Sequence, residues 1–374
     1  MIRLKNSAAR IIAIGIATMV AVSSVVFFPL QTVSVISEFI FCSVKSYLPV
    51  KVAVSMQHET EAVAENITSE HIEKIVSQET SSKSDKLTKI DSDIDKLMKA
   101  AEKSSVKDKK GGTITEYTFT EEGVTDKYEN VRVKNTNKTK ISIEEKLKEK
   151  LDLSVNEKEP SVLIYHTHTT ETYQLLDRGF YAQNFAARSN DSGKNMVRVG
   201  KAICDELKKR GYKVIHDTSV YDNPYSGAYY RSEDAAKAIL KKYPSIKITL
   251  DVHRDAIQSS NGEKTKPVVE INGKKAAQIM IITGCQEEGN GIRDLPDWEK
   301  NLTFALKLQQ SMEDSFEGLT RPVFFCDRSY NMGLTPLSLL VEFGTDGNTL
   351  DEAVYSGKMF GVALSEILDE YKEN

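Results

Sequence analysis

The sequence predicts an α/β domain of three layers, in which helices cover both faces of a mostly parallel sheet, preceded by a transmembrane helix and a polar linker. Three observations lead to this prediction. Short apolar runs alternate with amphipathic helical patterns from about residue 160 onward. An uncharged stretch lies near the N-terminus, and a polar, aromatic-poor stretch follows it. The 374 residues suffice for a sizeable core and more than one domain.

Residues 11–30 form the predicted transmembrane anchor because they carry no charge. At about 1.5 Å per residue, such a helix crosses a hydrocarbon core of about 30 Å. Arg3, Lys5 and Arg10 precede it, so residues 1–10 are predicted to stay in the cytoplasm and the rest to lie outside the membrane. A cleaved signal peptide is the alternative, but its apolar region would be shorter, and no small-x-small cleavage site follows.

Two further segments separate the anchor from the main domain. Residues 31–112 are predicted to be a juxtamembrane segment and polar linker, with short helices around residues 69–76 and 91–102, because this composition buries too little apolar area to offset its ordering entropy. Residues 113–159 are predicted to be a small extension. It would contain two strands around a turn, followed by a helix capped by Ser142.

Residues 160–374 are predicted to be the catalytic domain, in which strands and helices alternate. Ser232 is predicted to cap the second helix and Thr349 the last one. Sheets of this kind carry their sites at the carboxyl ends of the strands. The predicted strands are SVLIYH, YKVIHD, IKITLDVHRDA, AAQIMIITG and LSLLVEFGT, and the predicted helices are MVRVGKAICDELKKRG, SEDAAKAILKKYP, DWEKNLTFALKLQQSMEDSF and LDEAVYSGKMFGVALSEILDEY.

Composition excludes several classes of function. The net charge of -4 and the pI of about 6.0 argue against a nucleic-acid partner. No pair of the four cysteines has CxxC spacing, which favours buried thiols over a disulfide framework. No GxSxG motif occurs and no cysteine stands beside a histidine, so a serine or cysteine nucleophile is disfavoured.

Residues that can bind a metal follow three of the predicted strands. His166, His168 and Glu171 follow SVLIY, His253 ends a later strand, and Glu342 follows LSLLV. A catalytic zinc ion takes three nitrogen or oxygen ligands and a water molecule, and a separate carboxylate takes the proton of that water. The sequence therefore predicts a zinc-dependent hydrolase. Spacing alone leaves the ligands open, because His168 can orient substrate and Glu171 can hold an imidazole.

Arg254 follows His253 directly and has two interpretations. Its guanidinium can bind a carboxylate of a peptide substrate, or it can form an ion pair with Asp255.

Four segments resemble the stage II sporulation protein P family, and through it the zinc N-acetylmuramoyl-L-alanine amidases. They are VLIYHTHTTETY (162–173), KNMVRVGKAICDELKKRGYKV (194–214), LDVHRDA (250–256) and NMGLTPLSLLVEFGTDGNTLDEA (331–353). The resemblance implies an amidase-like fold, His166 and His253 as zinc ligands and Glu342 as the catalytic glutamate. The middle ligand of the amidases would fall near residues 194–195, where no acid stands. Glu171 is predicted to replace it, with His168 as the alternative.

The resemblance also implies a function. It points to a membrane-anchored peptidoglycan hydrolase of engulfment, an amidase with endopeptidase activity on cross-links. Such an enzyme would work beside sporulation proteins D and M, between the mother-cell and forespore membranes. Two alternatives remain: a zinc carboxypeptidase, in which Arg254 or Arg328 binds the terminal carboxylate, and a membrane-tethered wall-binding scaffold without a metal.

Overall fold

The computed structural model describes residues 87–286 and 294–373. The predicted cytoplasmic tail, the predicted anchor at residues 11–30 and the predicted helix at residues 69–76 lie outside these ranges. Among the helices that the structure describes, none has the length and apolar character needed to cross a bilayer.

Twelve strands and six α-helices are described. In chain order the strands are β1 (Lys110–Tyr117), β2 (Asp126–Tyr128), β3 (Val131–Asn135), β4 (Pro160–Tyr165), β5 (Phe180–Ala182), β6 (Lys213–His216), β7 (Ile248–Asp255), β8 (Lys264–Ile271), β9 (Lys274–Ala277), β10 (Ile279–Gly284), β11 (Val323–Cys326) and β12 (Leu337–Thr345). The helices are α1 (Ser92–Ser104), α2 (Ile143–Lys148), α3 (Met196–Lys209), α4 (Ala228–Lys242), α5 (Trp298–Ser315) and α6 (Leu350–Glu370).

The main sheet has eight strands in the order β2-β3-β11-β10-β12-β7-β4-β6. Only β2–β3 and β10–β12 are antiparallel pairs, and the other pairs in this sheet are parallel. Helices α3, α5 and α6 cover one face, where the largest apolar core lies, and α4 packs on β4 from the other face. The predicted α/β class is confirmed, and the main sheet is mixed, with mostly parallel pairs.

A second sheet of four strands, in the order β5-β1-β8-β9, was not predicted from the sequence. Strand β1 lies between β5 and β8, antiparallel to the first and parallel to the second. Strand β5 belongs to the loop that follows the predicted His and Glu motif. A segment assigned to the linker and extension therefore joins this loop to the rest of the sheet.

Helix α1 packs on the folded core, although its sequence was assigned to the polar linker. Ile94 is fully buried, and Leu97 and Met98 pack against the same core. The Arg198 side chain on α3 donates from Nε to Asp93 at 2.8 Å. Strands β2 and β3 extend the main sheet beside β11, so the described part of the extension is continuous with the main domain.

Two of the three predicted helix caps are confirmed. Ser142 Oγ accepts a hydrogen bond from the Glu145 amide, and Thr349 forms a reciprocal capping box with Glu352. The predicted cap at Ser232 is wrong, because α4 begins four residues earlier, after Gly227. Ser232 lies inside the helix, and its hydroxyl is 2.7 Å from the Thr167 hydroxyl.

We predict that Ile94→Ala lowers the free energy of unfolding by about 2–4 kcal/mol, because the truncation leaves a cavity between α1 and the core. Ile90→Ala is the matched control, since Ile90 is 39% exposed. It should change stability by less than about 0.5 kcal/mol. Urea denaturation measures both free energies of unfolding. An effect of Ile94→Ala as small as that of Ile90→Ala would show that α1 does not belong to the folded unit.

Candidate active site

The carboxyl end of β7 is the centre of the candidate site. In the parallel register between β7 and β12, His253 lies directly beside Glu342. Side chains alternate along a strand, so Asp251 and His253 point to the face covered by α4, while Val252 points into the large apolar core on the other face. Asp251, His253 and Glu342 are therefore neighbours on the α4 face of the sheet.

His253 is buried among three carboxylates. Its Nδ1 lies 3.9 Å from Glu171 Oε2, and its Nε2 lies 2.7 Å from Asp251 Oδ1. Burial by itself would lower the pKa of His253, but the charges of Asp251, Glu171 and Glu342 raise it to about 9.

Glu342 carries a buried carboxyl oxygen, Oε2, for which the described part of the chain supplies no hydrogen-bond partner. Burial raises the pKa of this carboxyl to about 8, against the opposing charge of His253. A buried carboxyl group without a partner is costly in free energy. Such a group at the carboxyl edge of a sheet is a candidate for chemistry on a ligand.

Glu171 is held in place by two arginines. Its Oε2 accepts a hydrogen bond from the Arg254 main-chain amide at 3.4 Å, and its Oε1 lies 3.6 Å from the Arg188 guanidinium. Burial raises the pKa of Glu171, and the charges of Arg254, His253 and Arg188 oppose that rise. Arg188 also pairs with the buried Asp222. Its guanidinium therefore links Asp222 to Glu171, which lies beside His253.

His168 joins this group from the loop after β4. Its ring stacks on Tyr225, with centroids 4.6 Å apart, and meets the His253 ring edge-on at 5.3 Å. Burial, with a smaller effect from His253, lowers the pKa of His168 to about 4, so the imidazole is neutral near pH 7. Its Nδ1 is buried and lacks a hydrogen-bond partner among residues 87–286 and 294–373.

His166 lies on the opposite face of the sheet from His253. Its Nδ1 is 2.9 Å from the Val252 carbonyl oxygen, and its Nε2 is 2.9 Å from His216 Nε2. Helix α3 comes so close here that a Cβ on Gly200 would lie 2.6 Å from both rings. The structure therefore does not bring the predicted ligand set of His166, Glu171 and His253 together. Strand β4 ends at Tyr165, and of the two histidines that follow it only His168 turns to the site.

Arg254 fastens the loop that carries His168 and Glu171. Its guanidinium donates to the main-chain oxygens of Thr172 at 2.6 Å and Ala187 at 2.9 Å. Asp255, its suggested ion-pair partner, instead binds Arg321 at 2.9 Å. The buried guanidinium of Arg254 thus positions the loop beside Glu171 and is not free to bind a substrate carboxylate.

Asp251 connects the same loop to His253. The Thr167 amide donates to Asp251 Oδ1 at 2.8 Å, and the Thr167 hydroxyl donates to Oδ2 at 2.6 Å. These bonds fix the carboxylate that faces the His253 ring. The predicted site residues His168, Glu171, His253 and Glu342 are therefore together on one face. As they stand, however, no three His, Cys, Asp or Glu side chains of the described ranges form a group that could hold a metal ion.

A groove of about 900 Å³ opens beside His168 and follows the start of α4. Three of the tyrosines that line this groove make ring contacts with site residues or with each other. Tyr225 stacks on His168, and the ring of Tyr229 lies parallel to that of His253 at 6.4 Å and stacks on Tyr330. Sequence reasoning missed these residues. The tyrosine-rich stretch YDNPYSGAYY after β6 was the available signal.

A family model described as stage II sporulation protein P matches residues 43–365, which is most of the chain. The chain belongs to this family. Stage II sporulation protein P of Bacillus subtilis (strain 168) is 27% identical over 218 residues, covering 55% of this chain and 50% of the relative. The matched region therefore spans about half the length of that curated relative.

Solved amidase structures are similar only at a low level. The CwlD amidase from Clostridioides difficile, solved with the GerS lipoprotein, has a TM-score of 0.36 and 11% identity, over 56% of this chain and 99% of that chain. An N-acetylmuramoyl-L-alanine amidase from Clostridium difficile 630 has a TM-score of 0.31 and 13% identity, over 55% and 96%. Scores this low do not establish a common fold.

Proposed function

We propose that the protein is a peptidoglycan hydrolase of sporulation, a zinc-dependent amidase that cleaves the bond between N-acetylmuramic acid and L-alanine. Membership of the stage II sporulation protein P family supports the biological setting. One observation carries the chemical part: a buried carboxyl oxygen of Glu342 has no partner among the described residues and lies beside His253. Such a carboxylate is suited to take a proton from a water molecule and to return it to a leaving amine.

The donor atoms around Glu342 suit a zinc ion. His168 Nδ1 is buried and lacks a hydrogen-bond partner in the described ranges, and His253 Nδ1 is the ring nitrogen that does not face Asp251. Glu171 adds a carboxylate oxygen near the His253 ring. Two imidazole nitrogens and one carboxylate oxygen are a usual catalytic zinc set. The three side chains would have to close on the ion, and His168 replaces His166 in the set we propose.

The chain's own residues then divide the remaining tasks. A bound zinc ion would polarise the scissile carbonyl and lower the pKa of a water molecule. Glu342 accepts the proton of the attacking water and delivers it to the departing amine. Asp251, fixed by Thr167, orients His253, and Arg254 with Arg188 orients Glu171. This arrangement leaves Glu342 as the one site carboxylate with a buried oxygen that lacks a partner among the described residues.

We further propose endopeptidase activity on peptide cross-links, a single-pass anchor at residues 11–30 and a catalytic domain between the mother-cell and forespore membranes. Action beside sporulation proteins D and M is part of the same proposal. The uncharged N-terminal stretch supports the anchor, and the family resemblance supports the rest. The carboxypeptidase alternative is weakened, because Arg254 is engaged by main-chain oxygens and is not free for a terminal carboxylate.

We predict that Glu342→Gln lowers amide cleavage by about 10²–10⁴-fold, because the amide cannot accept the proton of the attacking water. Mass spectrometry of digested sacculi measures new L-alanine N-termini and, separately, cleaved cross-links. Elemental analysis should find the same zinc content as in the wild type.

Glu366→Gln is the control, since Glu366 is an exposed glutamate on α6 that accepts hydrogen bonds from Ser311 and Ser315. It should leave cleavage unchanged. Undiminished cleavage by Glu342→Gln would exclude Glu342 as the base, and loss of zinc would make Glu342 a ligand.

A comparison of the two histidines of the HTH motif tests the ligand set. His168→Ala should lose zinc. His166→Ala should retain zinc and lose about 2–4 kcal/mol of stability, because it leaves a cavity between α3 and the sheet. Zinc content and thermal unfolding measure both effects. Zinc loss in His166→Ala together with zinc retention in His168→Ala would contradict the proposed set.

A further inference from the structure

The groove beside His168 exposes an unusual amount of aromatic surface. Tyr225 is 58% exposed and Tyr230 is 76% exposed, and both line the groove with Tyr229 and Tyr330. Clustered, exposed aromatic rings next to a concave site are typical of a binding surface. The inner rings are also fixed, because Tyr229 stacks on Tyr330 with centroids 5.5 Å apart and Tyr225 stacks on His168.

Most polar side chains that line the groove are neutral or acidic. Ser226 and Ser329 provide hydroxyl groups, whereas the Asn331 amide nitrogen already donates to Tyr229 and Ser232. Lys237 is the one cation among the described lining residues, and it pairs with Glu233 at 2.7 Å. Asp294 adds a negative charge. A peptide carboxylate would therefore meet no unpaired cation in this groove, whereas an uncharged ligand with hydroxyl and amide groups would meet suitable partners.

We propose that this groove binds the glycan strand, with an N-acetylated sugar ring stacked on Tyr230. The ring of Tyr225 already contacts His168 and the Arg188 guanidinium. The C–H faces of a sugar ring suit the face of a tyrosine, and its hydroxyl and acetamido groups suit the hydroxyls of Ser226 and Ser329. This inference rests on the proposed function, because it assigns the glycan side of the substrate to the α4 side of His168. The stem peptide then leaves the site on the other side of His168.

Calorimetric titration with chitotetraose, a soluble chain of four N-acetylated sugars, tests the assignment. The protein is the full chain in detergent, carrying Glu342→Gln so that nothing is cleaved. Tyr230→Ala, added to this background, should weaken binding by about fivefold to tenfold through loss of a stacking surface.

Tyr117→Ala is the matched control, since Tyr117 is 43% exposed and lies on the second sheet, away from the groove. It should bind chitotetraose as tightly as the parent. The inference is overturned if chitotetraose does not bind, if Tyr230→Ala leaves its affinity unchanged, or if Tyr230→Ala instead weakens binding of a free stem peptide. Since the readout is binding to an inactive chain, absent hydrolysis in the wild type would count against the proposed function alone.

Discussion

The parallel pairing of β12 with β7 is the constraint on which the candidate site depends. It sets Glu342 beside His253 on the α4 face, while Val341 and Phe343 of the same strand enter the large core on the other face. A shift of one residue in this register would exchange the two faces. It would bury a carboxylate in the apolar core, so burial of Val341 and Phe343 enforces the geometry of the site. The register that packs the apolar core therefore also places Glu342 beside His253.

The loop between β4 and α3 completes the site, and distant segments hold it. Arg254 binds its main-chain oxygens, and β5 within it pairs with β1. Strand β1 is in turn fixed to β8, where the buried Lys266 pairs with Glu116 of β1, Asp177 of the loop and Glu352 of α6. A buried cation with three carboxylates is stable only when all are in place. The segment that precedes the main domain is thus part of the active unit.

The sequence was informative where patterns are local. Apolar runs revealed β7 and β12, and their ends identified His253 and Glu342. It assigned His166 as a ligand and left Glu171 and His168 as alternatives for another position. The position of His166 depends on where β4 ends and on the close approach of Gly200 to the His166 ring, which the sequence does not show. It missed the second sheet, since β1 is largely polar and exposed and its partner β8 lies some 150 residues away in the chain. Pairing over such distances leaves no periodic signal near either strand.

Anomalous diffraction at the zinc absorption edge, from crystals of the zinc-loaded protein, would locate the metal ion itself. We expect one anomalous peak on the α4 face of the sheet, bounded by His168, Glu171 and His253 and next to Glu342. A peak between His166 and His216 on the opposite face, or no peak in a crystal of active protein, would contradict this expectation.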